Sequence, residues 1–187
     1  FIMIKKTHIY IFVSLTFCIS FFTNCSTRKN IQAVPFYWND SNAYGFKDSI
    51  TSKILIIPKY SDVQEYKEGI IAVSQGKKWG YVNKKREEIA PIIYDEVLFF
   101  NEGYGAVLKN KKWGYVDNKG NLVIPLGYNN AGPFKEEQAA VMIDNKWGYI
   151  NKKGDVTIQP IYDNAWDFNN GIAMVRVGKK LGFIDKY

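Results

Sequence analysis

Histidine and cysteine are almost missing from this 187-residue chain. The one histidine is His8, and the two cysteines are Cys18 and Cys25. From Ser26 onward there is neither imidazole nor thiol. That excludes Ser-His-Asp and Cys-His nucleophilic catalysis, histidine general bases, and zinc or copper sites built on those ligands. Disulfides within the body are excluded as well. The glycines recur at turn positions and form no phosphate-cradling loop of Walker or dinucleotide type. No cofactor is implied and no metal site is assigned. Asp163, Asp167 and Asn169 offer oxygen ligands for a hard cation, yet their spacing matches no dense Asp-x-Asp loop.

Long apolar runs are also scarce. The one such run, Ile9 to Phe22, spans 14 residues behind Lys5, Lys6 and His8. It is short for a membrane span and has the flanks of an export signal. Met3 is the expected start. The run ends at Phe22-Thr23-Asn24-Cys25, which resembles a bacterial lipoprotein signal, with Cys25 as the residue that carries the lipid. An uncleaved membrane anchor is the alternative. Both readings place the body outside the cytoplasm, in a bacterial cell envelope. The expected organisation is a signal over 1–24, a lipidated cysteine and tether over 25–42, and one repeat domain over 43–187. The chain reads as ending inside a repeat, as if part of something longer.

What the chain has in abundance is period. Trp79-Gly80-Tyr81, Trp113-Gly114-Tyr115 and Trp147-Gly148-Tyr149 are spaced by 34 residues, and Leu181-Gly182-Phe183 keeps the phase. Tyr44-Gly45-Phe46 lies 35 residues upstream of the first copy. Ahead of each Trp-Gly pair runs a short segment such as Gly103-Tyr104-Gly105-Ala106-Val107, then a turn residue: Gly76, Asn110, Asp144 or Gly178. These residues tolerate the left-handed backbone of a tight hairpin. After the Trp-Gly strand comes a second turn, at Asn83, Asp117 and Asn151, and then an extended segment carrying Pro91, Pro125 or Pro160. Pro160 has slipped by one residue while Tyr94, Tyr128 and Tyr162 keep phase. An aromatic closes each unit at Tyr66, Phe100, Phe134 and Phe168.

A 34-residue period also belongs to tetratricopeptide helices. Those need Ala, Leu, Glu and Lys at 3.6-residue spacing, whereas these segments are short, β-branched and aromatic, and broken by Gly, Pro, Asn and Asp. The fold expected is all-β: a tandem array of about five hairpin repeats, each a hairpin plus a Pro-bearing strand. An open, curved array is favoured, with a propeller-like toroid second because closure hides strand edges. In the Trp-Gly strand, Trp79, Tyr81 and Asn83 face one way, and Gly80 and Val82 the other.

These residues resemble the WG-repeat family, named for its Trp-Gly pair. The resemblance runs from about Trp38 to the end of the chain. It implies a bacterial β-repeat module, often on exported or multi-domain proteins, with no chemistry common to the family. Leu181 and Tyr44 in place of Trp, and Arg86 in place of a turn glycine, depart from the pattern as end repeats do.

Chemistry is left to carboxylates. The adjacent pairs Glu87-Glu88, Asp95-Glu96 and Glu136-Glu137 point to opposite faces of a strand, so none is itself a glycosidase pair. They read as solvated turn or edge residues. The net charge is +7, and +5 from Cys25 onward once Lys5 and Lys6 are removed. The lysines gather at the turns flanking the Trp-Gly strand. A ladder of this kind attracts acidic glycan, phosphorylated lipid or anionic protein surfaces, or guards exposed strand edges against aggregation. Nucleic acid is the partner least expected. Trp79, Trp113 and Trp147, with Gly80, Gly114, Gly148 and Gly182, read as scaffold. Trp166, Tyr104, Phe99, Trp38 and Arg176 break the repeat and are therefore the binding candidates. The function expected is a non-catalytic envelope lipoprotein that binds or scaffolds a protein or glycan; a carboxylate enzyme on envelope glycans and a structural spacer are the alternatives.

Overall fold

The computed structural model describes residues 33–83, 85 and 87–186. The signal, Cys25, the start of the tether and Arg86 lie outside the described residues. The rest is all β and forms five antiparallel sheets in chain order.

The first sheet holds β1 (Ala33–Trp38), β2 (Ala43–Asp48) and β3 (Ile54–Tyr60). The second holds β4 (Asp62–Lys67), β5 (Ile70–Gln75), β6 (Lys78–Asn83) and β7 (Glu88–Tyr94). The third is β8 (Glu96–Val97), β9 (Tyr104–Lys109), β10 (Lys112–Asp117) and β11 (Leu122–Tyr128). The fourth is β12 (Asn130–Ala131), β13 (Gln138–Ile143), β14 (Lys146–Asn151) and β15 (Val156–Tyr162). The fifth is β16 (Asn164–Ala165), β17 (Ala173–Val177) and β18 (Lys180–Ile184). Each sheet is a meander with strands in sequence order, and none closes into a barrel.

Two features differ from the sequence reading. Ala33–Trp38, assigned there to the tether, is β1 and pairs along its length with β2. Its register follows the later hairpins, but Pro35 and the aromatic run Phe36-Tyr37-Trp38 hide the pattern. The inner sheets also carry a fourth strand, β4, β8 or β12, ahead of the hairpin. In β8 and β12 it is only two residues long, too short to show alternation.

The core is not one mass but a layer between each pair of consecutive sheets. Tyr81, Ile70 and Ala72 face the third sheet, where they meet Phe100, Val107 and Val116. Their strand neighbours Val82, Ile71 and Val73 face the first sheet and meet Phe46, Ile56 and Tyr60. Alternation along the strand is kept, yet both faces are buried because each inner sheet is sandwiched. That is why the central strands read as nearly continuous apolar runs.

The Trp-Gly pair has a backbone cause. Trp79 pairs with Tyr94 and Tyr81 with Ala90, so three residues of β7 oppose one of β6. The same bulge recurs opposite Gly114 and Gly148. It brings the proline strand onto the glycine: a methyl group at Gly114 would lie 2.6 Å from the Ile124 carbonyl oxygen. Bulged residues stand outside the ladder, where proline's missing N–H costs nothing. Pro91 and Pro125 take the first bulge position and Pro160 the second, so the slip leaves the tyrosine register intact.

Candidate functional site

Successive sheets are joined by three sets of polar contacts, each recurring with the period. In the core layer, the Tyr115 hydroxyl donates to the Gly132 carbonyl at 2.8 Å, and the Tyr149 hydroxyl to Trp166 at 2.7 Å. Tyr81 donates to Leu98 and, at 3.0 Å, to Ala106. Each phenol ring also meets the closing aromatic of the next sheet: Tyr81 and Phe100 lie edge to face at 4.8 Å between centroids. Burial pushes the phenols of Tyr81, Tyr115 and Tyr149 well above the ordinary tyrosine range.

At one edge of the array lie the turns entering β5, β9, β13 and β17. Glu102, Glu136 and Asn170 each start such a turn with positive φ. The carboxylate one repeat upstream grips it. Glu68 accepts from the N–H groups of Glu102 and Gly103 at 2.7 and 2.9 Å. Glu102 accepts from Glu136 and Glu137 at 2.5 and 3.0 Å, and Glu136 accepts from Gly171 at 3.0 Å. Partial burial works against ionising Glu102, but the Glu137 and Glu136 N–H groups and Lys152 outweigh it and hold its pKa below the usual range. Glu136 is likewise lowered, chiefly by Lys186. The sequence reading of Glu136 as a solvated turn residue is therefore corrected: it is an inter-sheet clasp. The signal was present as Glu68, Glu102 and Glu136 at one repeat interval, but an isolated carboxylate in a turn gives no hint of its partner.

The opposite edge carries the tips of the Trp-Gly hairpins. Asp95 accepts from the Asn110 N–H at 2.9 Å and pairs with Lys78, tying the second tip to the third. Asp163 pairs with Lys146 at 2.6 Å and accepts from Gly178, tying the fourth tip to the fifth. Lys78 and Lys146 hold these two aspartates below the usual carboxylate range.

The five repeat-breaking candidates do not converge. Trp38 (42% exposed) and Arg176 lie on the hairpin-tip edge, in the first and fifth sheets. Phe99 and Tyr104 lie toward the clasp edge. Lys67 Nζ sits 4.3 Å from the Phe99 ring centroid, and Tyr104 packs on Phe134 at 4.9 Å. Trp166 exposes 38% of its surface while its backbone carbonyl serves the Tyr149 bond. Asp163, Asp167 and Asn169 do not assemble either: Asp163 faces Lys146, and Asp167 pairs with Lys135 at 3.3 Å. Among the described residues no His, Cys, Asp or Glu cluster could hold a metal ion. A shallow hollow of about 210 Å³ is lined by Trp38, Ser41, Ile57 and Pro58.

A model of the WG containing repeat matches residues 44–79, 79–113, 113–147 and 147–180 in unbroken succession. The chain belongs to the WG repeat family. Each matched WG repeat starts at the Trp-Gly strand of one sheet, or at Tyr44-Gly45 in the first, and ends in the hairpin of the next, so the covalent unit straddles two sheets. The bond from Tyr115 to Gly132 thus lies inside one repeat yet joins two layers. No curated protein matches the chain. Among solved structures, a KlHsv2 chain with its loop 6CD replaced by a Gly-Ser linker superposes with a TM-score of 0.52 at 12% identity. The match covers 84% of this chain and 62% of that one. A eukaryotic initiation factor gives 0.54 at 12% identity, over 82% and 49%. These are likenesses of fold alone, and this chain spans less than two thirds of either.

Proposed function

We propose that this WG-repeat protein is a non-catalytic binding module of the bacterial cell envelope, anchored through lipid at Cys25, that holds a protein or glycan partner. The observation that carries this reading is how the repeated polar groups are used. The tyrosine hydroxyls, the clasp glutamates and the bridging aspartates are spent between sheets, while the residues that vary from repeat to repeat lie at the edges. A rigid array with variable edges is what repeat proteins offer to partners. The carboxylate chemistry also favours binding over catalysis. Glu102 and Glu137, from different repeats, do meet, but on Lys152 at 3.3 and 2.6 Å. A general acid needs its pKa raised, whereas Asp95, Glu102, Asp117, Glu136 and Asp163 are all lowered.

The test is co-sedimentation of the purified full chain with separated envelope fractions: peptidoglycan, outer-membrane lipid and envelope protein. Retention by one fraction above the rest is the expected result. Equal recovery in every supernatant would leave the spacer reading in its place.

A further inference from the structure

The hairpin tips carry a charge pattern that the scaffold does not account for. At the residue that opens each sheet stand Ser61, Asp95, Asn129 and Asp163. The aspartates bridge to the lysine of the preceding tip, Lys78 or Lys146. In the third sheet the corresponding lysine is Lys112, and its counterpart is the neutral Asn129. That same tip is the richest in lysine. Lys109 and Lys112 are paired directly across the hairpin, where the other sheets have Gln75 opposite Lys78, Ile143 opposite Lys146 and Val177 opposite Lys180. Like charges in register destabilise a hairpin. Lys111, at the turn itself, holds φ 63° without being glycine or asparagine. Among the described residues no carboxylate forms an ion pair with Lys109, Lys111 or Lys112. Asp95 acts on Lys109 only from a distance.

An uncompensated cluster that costs stability is a site for an anion supplied from outside. The neighbouring tips extend it with exposed Lys77 on one side and, beyond the fourth tip, Lys179 and Lys180 on the other, whereas Lys78 and Lys146 are already bridged to Asp95 and Asp163. Charges distributed over consecutive tips suit a long partner, since a compact anion meets one tip only. Lysines present point charges rather than the planar fork of arginine, which suits anionic groups spread along a chain more than one bidentate ligand. On the same edge, Trp38 is 42% exposed and its indole N–H donates to the Asp40 carboxylate at 3.2 Å, so the ring face rather than its polar edge is what a sugar ring can lie on.

We propose that the hairpin-tip edge binds an acidic polysaccharide, anchored at Lys109, Lys111 and Lys112 and extended toward Trp38. This rests on the binding-module reading and names the partner's chemistry and the surface it uses.

The experiment measures binding of the full chain to polygalacturonate, with neutral dextran, polyphosphate and phosphatidylglycerol vesicles as comparators, across a salt series. The wild-type chain is expected to bind polygalacturonate, more weakly as salt rises. Combining Lys109→Gln, Lys111→Gln and Lys112→Gln is expected to weaken binding at least tenfold and flatten the salt dependence. The midpoint of thermal unfolding should not fall, because the Lys109–Lys112 repulsion is gone. Lys119→Gln with Lys153→Gln, on the opposite edge, should leave binding unchanged. Trp38→Ala should weaken polygalacturonate binding and spare polyphosphate. Equal binding by the triple variant overturns the proposal. So does tip-dependent binding to vesicles without binding to polygalacturonate, or insensitivity to Trp38→Ala. If the triple variant still sediments with an envelope fraction as the wild type does, this inference alone fails. If the wild type sediments with none, the binding-module reading fails with it.

Discussion

The Tyr115 hydroxyl reaches out of its own sheet and donates a 2.8 Å hydrogen bond to the Gly132 carbonyl of the next. Tyr115 is fully buried and its ring packs on Phe134 at 4.9 Å. One side chain therefore supplies both the apolar filling of a layer and its polar register, and Tyr81 and Tyr149 repeat the arrangement. In phase with them, Phe183 has no hydroxyl and is 70% exposed.

Replacing Tyr115 with Phe keeps the filling and removes the bond. The Gly132 carbonyl then loses a buried donor, at a cost of about 1–2 kcal/mol. Thermal unfolding followed by circular dichroism should show the midpoint falling by roughly 3–6 °C for a domain of this size. Phe183→Tyr should change it little. Similar behaviour of the two variants would deny the hydroxyl its bridging role.

Gly114→Ala places a methyl group 2.6 Å from the Ile124 carbonyl oxygen. The backbone must open at the proline bulge, with a cost of about 3 kcal/mol or more. Gly182, in phase, has nothing within 4 Å, so Gly182→Ala should stay within about 0.5 kcal/mol of the wild type. Urea unfolding midpoints of the two variants decide between a close-approach glycine and a merely permissive one.

The proline slip gives a gentler test. Exchanging Gln159 and Pro160 restores the phase of Pro91 and Pro125 within the same bulge. Stability should change by less than about 1 kcal/mol, because neither position donates into the ladder. Tyr162→Ala, which removes a partly buried ring packed on the fourth core layer and paired with Trp147, should cost more, about 2 kcal/mol. Urea melts of both variants provide the comparison.

Acid should loosen the clasps. Glu102 and Glu136 have lowered pKa values in the folded chain. Their stabilisation is therefore complete above the unfolded glutamate value of about 4.3 and is lost as pH falls through the folded values. The unfolding midpoint should drop steeply below about pH 4.3 and vary little between pH 5 and 8. Glu102→Gln should be less stable at pH 7 and show a shallower acid decline. A decline as steep as the wild type's would assign the acid sensitivity to other groups.

Much of this fold was legible in one dimension. A period of 34, with hairpin residues Gly76, Asn110, Asp144 and Gly178 and the constant Tyr94, Tyr128 and Tyr162, marks strand class, repeat length and the places of the turns. These are local matters: turn conformation, alternation and the bulge depend on residues close along the chain. The short strands β8 and β12 were not legible because two residues carry no alternation. Nor was β1, whose register with β2 sits in a segment without visible period.

The candidate surfaces divide in the same way. Trp38 and Trp166 stand out in the sequence because they break the repeat, but their separation is a fact of the array. The clasp of Glu102 on the Glu136 turn and the bridge from Asp95 to Lys78 join groups far apart in the chain, and only stacking brings them within hydrogen-bond reach. The uncompensated charge of Lys109, Lys111 and Lys112 has the same origin. A run of lysines in sequence says nothing of its counter-charges. Whether Asn129 or an aspartate faces Lys112 matters only once one sheet lies on the next, since electrostatic compensation depends on distance through space and not along the backbone.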